Sequence, residues 1–207
     1  MLFRRIFYLG LGVMLFSGSM CFAAEAGLAD TGKPATAIFA GGCFWCMEKP
    51  FDSEEGVLST TVGYTGGTSG NPTYEQVSGG GTGHVEAILV RYDTTKVSYE
   101  RLLEIYWRNV DPLDGQGQFC DRGNQYRPVI FVADKVQEEA AKKSKADLAL
   151  SGLLIDKIRV EILPAEKFWP AEEYHQDYYR KNPIRYGFYR KSCGRDKRLK
   201  QVWKDAK

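Results

Sequence analysis

Ala35-Thr36-Ala37-Ile38-Phe39-Ala40-Gly41-Gly42-Cys43-Phe44-Trp45-Cys46-Met47-Glu48 is the stretch on which the fold turns. Ala35 to Ala40 is a short, mostly apolar run, the pattern of a buried strand. Gly41-Gly42 breaks it, and Cys43 to Phe51 reads as the opening of a helix. Outward from there, Val57 to Tyr64 is rich in Val, Thr and Tyr and reads as a second strand. Eight glycines between Gly63 and Gly83 exclude a regular helix and imply a shaped loop, after which Val85 to Tyr92 returns to strand character. Ser98 caps a helix with Tyr99, Leu102, Leu103, Tyr106 and Val110 at helical spacing, ended by Asp111-Pro112. A polar loop from Leu113 to Gln125 carries Cys120. Pro128 to Ala133 reads as a strand, Asp134 with Gln137 caps a helix to Leu150, and Ile155 to Leu163 reads as another strand. An aromatic, basic tail follows from Ala171 and ends in a short helix near Leu199 to Trp203. The alternation predicts a single α/β (α+β) domain and leaves strand order open.

Composition agrees. The 207 residues are 43% hydrophobic and 26% charged, a globular balance with no second regime or repeat. A formal net charge of +2 gives no reason to expect a nucleic-acid partner. Five cysteines are too few for a disulfide scaffold in a chain this long.

The first residues read as an export signal: basic Arg4 and Arg5, an apolar run from Ile6 to Phe16, then small residues. Cleavage is expected after Ala26, or after Ala23. Removing Arg4, Arg5 and Glu25 takes one unit from the formal charge and leaves +1. Residues 27–34 form a tether and 35–207 the folded domain. The expected location is periplasmic or secreted, with membrane tethering if the leader stays.

Cys43 stands where a strand and two glycines deliver the chain to a helix start. Unpaired amides and the helix dipole there favour an anion, so the thiol should ionise more readily than a free one at about 8.5. Cys46 lies one turn on, which makes a Cys43–Cys46 disulfide sterically reasonable. Phe44 and Trp45 can wall a small apolar group. Three other readings fit the C-x-x-C: inert core thiols, a zinc site completed by Cys120 and Cys193, and a thioredoxin-like disulfide exchanger. The zinc reading lacks the usual second close-spaced pair, so no metal is expected.

Two further segments supply polar groups: Asn71 to Glu86, with Tyr74, His84 and Glu86, and Cys120 to Arg127, with Asp121 and Tyr126. Glu86 interrupts an apolar strand. Pointing inward, it would be held protonated by burial and could donate a proton; plain alternation puts it on the solvent face. His84 and His175 read equally well as structural histidines.

Gly41-Gly42-Cys43-Phe44-Trp45-Cys46-Met47-Glu48, Gly63-Tyr64-Thr65-Gly66-Gly67, Asn71-Pro72-Thr73-Tyr74, Gly83-His84-Val85-Glu86, Asp121-Arg122-Gly123-Asn124-Gln125-Tyr126-Arg127 and Tyr174-His175-Gln176-Asp177-Tyr178 with Lys181-Asn182-Pro183 together resemble the A-type peptide-methionine sulfoxide reductases. These motifs stand in the family's order and span Ile38 to Trp203. The resemblance implies a two-layer sandwich with a ferredoxin-like core. It implies reduction of the S epimer of methionine sulfoxide, free or in oxidised proteins. Cys43 would be the nucleophile and Phe44 and Trp45 the methyl pocket. Glu86 would be the proton donor, assisted by Tyr74 and Tyr126, with Asp121 holding the site together. For resolving a sulfenic acid on Cys43, the family often uses a C-terminal cysteine, here Cys193, and some members carry one at the position of Cys46; the reading favoured is Cys46 first with relay to Cys193, leaving Cys120 as a bystander. No bound cofactor is implied; an external thiol reductant of thioredoxin type regenerates a monomeric enzyme. An exported thiol–disulfide oxidoreductase is the alternative, and it leaves Tyr74, Glu86 and Tyr126 without work.

Overall fold

The computed structural model describes residues 34–203; the expected leader, its cleavage points and nearly all of the tether lie outside them. The first strand, β1 (Pro34–Ala40), runs into α1 (Trp45–Asp52) and then β2 (Val57–Thr65). A one-turn α2 (Tyr74–Ser78) precedes β3 (Val85–Asp93), and α3 (Tyr99–Arg108) follows it. A small hairpin, β4 (Gly117–Gln118) with β5 (Asp121–Arg122), comes before β6 (Val129–Val132) and α4 (Lys135–Leu150). The chain closes with β7 (Glu161–Pro164), β8 (Trp169–Pro170) and the helices α5 (Tyr178–Lys181), α6 (Pro183–Ser192) and α7 (Arg195–Val202).

One sheet has the order β7-β6-β1-β3-β2-β8. Its four middle strands are antiparallel neighbours, and β7 joins β6 in parallel. The path β1-α1-β2-β3-α3-β6 with spatial order β6-β1-β3-β2 is the split βαβ arrangement of a ferredoxin-like core. On one face Phe39, Ile88, Val90 and Ile130 meet Met47 and Phe51 of α1, Leu102, Leu103 and Tyr106 of α3, and Ala141 of α4. Helices on one face of a largely antiparallel sheet make the two layers. The opposite face, with Ile38, Ala40, Val85, Ala87 and Phe131, is covered by Leu163, Ala165 and Phe168. Among the described residues no helix is long and apolar enough to cross a membrane.

Three expectations need correcting. The glycine-rich stretch does contain a helix, α2, because Thr73 and Gln76 form a reciprocal capping box that one turn can stand on. The strand expected over Ile155 to Leu163 shrinks to β7: only Val129–Val132 offers a partner, so Ile155 stays outside, 97% exposed. The polar loop carries a hairpin whose tip, Phe119-Cys120, needs a left-handed φ of 59° at Phe119.

Candidate active site

The turn between β1 and α1 carries the reactive sulfur. Gly42 has φ of 80°, and a Cβ there would stand 2.6 Å from the Gln118 side chain, so only glycine fits this corner. Gln118 is itself clamped, accepting from the Asp111 amide at 2.8 Å and donating to the Asp111 and Asp114 carbonyls. Cys43 emerges at 6% exposure and Cys46 at 1%. Both are free thiols, and Cys43 donates its S–H to Cys46.

Two carboxyl groups converge on the helix start. The Phe44 amide donates to Glu86 Oε2 at 3.0 Å, and the Cys43 amide donates to Asp121. Glu86 is buried because both faces of β3 are covered; plain alternation fails for such a strand. It shares its face with Ile88 and Val90 and ends under α1. Burial pushes its carboxyl to about 8, outweighing the Phe44 hydrogen bond, so it is protonated at neutral pH. Asp121 is also raised, by burial, although Tyr189 O–H donates to it at 2.6 Å.

The expected low-pKa thiol at Cys43 is overturned in this closed site. Burial comes first among the causes pushing the Cys43 thiol up, and Glu86 and Asp121 add to it. The amides that would have stabilised a thiolate are spent on those carboxyl groups. Cys46 moves the other way, lowered by the hydrogen bond from Cys43 and by Arg195 and Arg190.

The remaining site residues arrive from distant parts of the chain. Tyr74, half-buried at the start of α2, is placed by Glu172, which accepts from the Tyr74 amide at 2.9 Å and from Tyr64 O–H at 3.0 Å. Burial, then Glu86, raise the Tyr74 phenol to about 12, and the same causes raise Tyr126, so both are neutral donors. Phe44 packs among Tyr64, Tyr74 and His175 with ring centroids 5.9, 6.5 and 5.1 Å away. Trp45 lies flat on Tyr178 at 3.8 Å, meets Tyr189 edge-on, and donates to His175 Nδ1 at 3.0 Å. Glu48 accepts from the Asp177 and Tyr178 amides and so docks α5 on α1. His84 is structural, holding Gly67 and Ser69.

The structure therefore brings Cys43, Cys46, Glu86, Tyr74, Tyr126, Asp121, Phe44 and Trp45 together. Cys120, expected to be a bystander near the site, is instead disulfide-bonded to Cys193 at its rim. Asp121 Oδ2 lies 3.8 Å from the Cys193 sulfur. Cys120, Asp121 and Cys193 also form the one group of metal-ligand type among the described residues, but its two sulfurs are bonded to each other. Sequence reasoning missed Tyr189, Arg195 and Glu48. Tyr189 and Arg195 flank Cys193, whose place in an aromatic, basic tail was their only signal.

Comparison with known proteins speaks to the same geometry. The family model described as "Peptide methionine sulfoxide reductase" matches residues 35–207. This chain belongs to that family. It is 51% identical over 171 residues to a peptide methionine sulfoxide reductase MsrA of Bacillus licheniformis, covering 83% of this chain and 94% of that one. It is 52% identical to MsrA 2 of Lactococcus lactis over 168 residues, 81% of this chain and 96% of that one. Among solved structures, reduced Mxr1 of Saccharomyces cerevisiae superimposes with TM-score 0.68 at 30% identity, covering 75% of this chain and 89% of Mxr1. Methionine sulfoxide reductase A of Corynebacterium diphtheriae gives 0.64 at 35% identity, covering 74% and 77%. In this family member, Tyr74, Tyr126 and the buried Glu86 all lie near enough to the Cys43 sulfur to interact with its charge.

Proposed function

We propose that Cys43 is the atom at which this methionine sulfoxide reductase strips oxygen from its substrate, with Glu86 as the proton donor. The observation that carries the assignment is a neutral, buried carboxyl at the same helix start as the sulfur. The sulfoxide S–O bond is polarised, and its oxygen leaves only when protonated. Glu86 gives the oxygen a proton while Tyr74 and Tyr126 hold it as charge moves onto it. The bound sulfoxide's positive sulfur draws the Cys43 thiol to ionise, and its proton refills Glu86. The Cys43 thiolate bonds to the substrate sulfur while that sulfur still carries the protonated oxygen. The S–O bond then breaks, the hydroxyl passes to the Cys43 sulfur, and methionine leaves with the electron pair of the S–S bond, so that Cys43 becomes a sulfenic acid. Phe44 and Trp45 receive the methyl group.

Cys46 then displaces the oxygen as water and forms a disulfide with Cys43; the hydrogen bond between the two thiols of the reduced site starts the sulfurs as neighbours. The outer pair, a disulfide beside the reduced inner thiols, must first be reduced by a thioredoxin-like dithiol; its thiols then exchange with the inner disulfide, returning Cys43 and Cys46 to thiols and re-forming the Cys120–Cys193 bond for the dithiol to reopen. The handed site selects the S epimer, free or in oxidised proteins, and the enzyme acts as a monomer without a bound cofactor. The leader directs it out of the cytoplasm. The alternative of a simple disulfide exchanger is not favoured, because it has no use for a protonated Glu86.

The test is methionine release from each separated sulfoxide epimer with dithiothreitol as reductant. Release from the S epimer, abolished by Cys43→Ser, is expected; sustained turnover by Cys43→Ser would refute the assignment. Mass measurement of the exported protein checks the leader: a chain beginning after Ala26 or Ala23 is expected.

A further inference from the structure

Arg195 is 1% exposed, and among the described residues no carboxylate lies within ion-pair distance of it. Its Nη2 donates to the Gly41 carbonyl at 3.1 Å, the Asn109 carbonyl at 2.6 Å and the Met47 sulfur at 3.1 Å. The guanidinium sits 4.5 Å over the Phe119 ring, and its Nε has no partner at all. All these contacts are neutral. A buried cation surrounded only by neutral groups is costly unless an anion shares its cavity. The other tail arginines avoid that cost: Arg190 pairs with Asp196 at 2.6 Å and Arg198 with Asp111 at 2.6 Å.

What Arg195 holds is the short segment bearing the thiols. Gly41 lies two residues before Cys43, and Met47 follows Cys46 directly. We infer that Arg195 is a positioning residue for the disulfide-forming step, holding negative charge on the Cys46 sulfur for its attack on the Cys43 sulfenic acid. The inference rests on Cys46 being the resolving thiol, as proposed above. In that step the electron pair of the Cys46 thiolate forms the S–S bond as the S–O bond of Cys43 breaks. The oxygen leaves as water, carrying the proton it already held and the one Cys46 gave up.

The groups facing Cys46 can be weighed in turn. Glu86 from β3 and Asp121 from β5 disfavour a thiolate there. Tyr178 from α5 and Tyr186 from α6 are neutral packing partners. Arg190 from α6 favours the thiolate, but Asp196 already balances it. Cys43 supplies a hydrogen bond, which disappears once its sulfur is oxidised. At the moment of attack, Arg195 is the one cation among these groups that no carboxylate holds in a salt bridge, Asp121 acting on it only from a greater distance.

The experiment uses the full chain, reduced, then given one equivalent of methionine S-sulfoxide. Methionine formation is followed by quenched flow, and sulfenic acid lifetime by trapping with a cyclic 1,3-dione. Arg195→Met should lengthen that lifetime by about tenfold or more and move the pH profile of disulfide formation up by about a unit, one unit being tenfold in thiolate below its pKa. Arg195→Lys, which keeps the charge, should restore most of the rate and return the profile; a purely structural role would not be rescued this way. An unchanged lifetime in Arg195→Met with normal methionine formation overturns the inference alone. So does an equal slowing of both steps with an unmoved profile. Should Arg195→Met fail to fold, the Cys21→Ser protein with its Cys120–Cys193 disulfide intact gives a second reading. Its ultraviolet thiolate absorbance should show a first midpoint below the free-thiol value of about 8.5, and a midpoint at or above that value overturns the inference. No methionine from the unmodified protein would refute the functional reading, and this inference with it.

Discussion

Two pairs of sulfur atoms flank Asp121, and they occupy different solvents. Cys43 and Cys46 are enclosed, 6% and 1% exposed, reduced and joined by a hydrogen bond. Cys120 stands at an exposed hairpin tip, bonded to Cys193 on the last turn leading to α7. Asp121 touches both pairs, through the Cys43 amide on one side and at 3.8 Å from the Cys193 sulfur on the other. The inner pair has what oxygen transfer needs: a dry proton donor and an aromatic wall. The outer pair has what a protein reductant needs, which is access. One dithiol could not easily serve both, since the burial that keeps Glu86 protonated also keeps a large partner away from Cys43.

The comparison can be broken most severely at Cys43. Cys43→Ser should reduce turnover to background by any reductant, read as methionine released; residual turnover through the outer pair would erase the division. Next is Glu86→Gln, expected to cost about 10²–10⁴-fold in the methionine-forming step. The pH dependence sharpens it. The donor must be protonated, and its raised pKa keeps it so until about 8. The wild-type rate should therefore hold through neutrality and fall as pH rises through about 8, while Glu86→Gln stays flat there. Cys46→Ser should still yield one methionine per enzyme but lose dithiol-driven cycling, counted in a burst experiment. Smaller still, Cys120→Ser with Cys193→Ser should leave turnover with dithiothreitol nearly intact and weaken it with a thioredoxin-like protein. That double variant should also lose about 2–4 kcal/mol of stability against urea, because the bridge spans 73 positions of chain.

Much of this was readable before any coordinates. The strand, glycine pair and helix around Cys43 follow from local periodicity, and the Ser98 and Asp134 caps stand where their sequence places them, each accepting from the amide three residues on. Glu86 shows the limit. Its orientation depends on whether both faces of β3 are covered, which is a property of α1 and α3 on one side and of Phe168 on the other. The charge state of Cys43 failed for a similar reason. A helix start favours an anion, but Glu86 and Asp121, 43 and 78 positions away, were already bonded to its amides. Cys120 read as a bystander because nothing local ties a hairpin tip to a tail cysteine. The last helix, α7, was expected over its second half only, near Leu199 to Trp203, and α6 was missed because Tyr186 is the one residue it buries, too few to leave a helical apolar stripe.

Gly41 and Arg195, bonded to each other, are separated by 154 positions. At ribosomal speeds of 5–20 residues per second, roughly 8–30 s pass between synthesis of the first and of the second. Throughout that interval the nascent chain holds a reactive thiol in an unfinished pocket, without its floor, its roof or its outer sulfur. Oxygen transfer at Cys43 thus waits until the far end of the polypeptide has folded back onto the turn between β1 and α1.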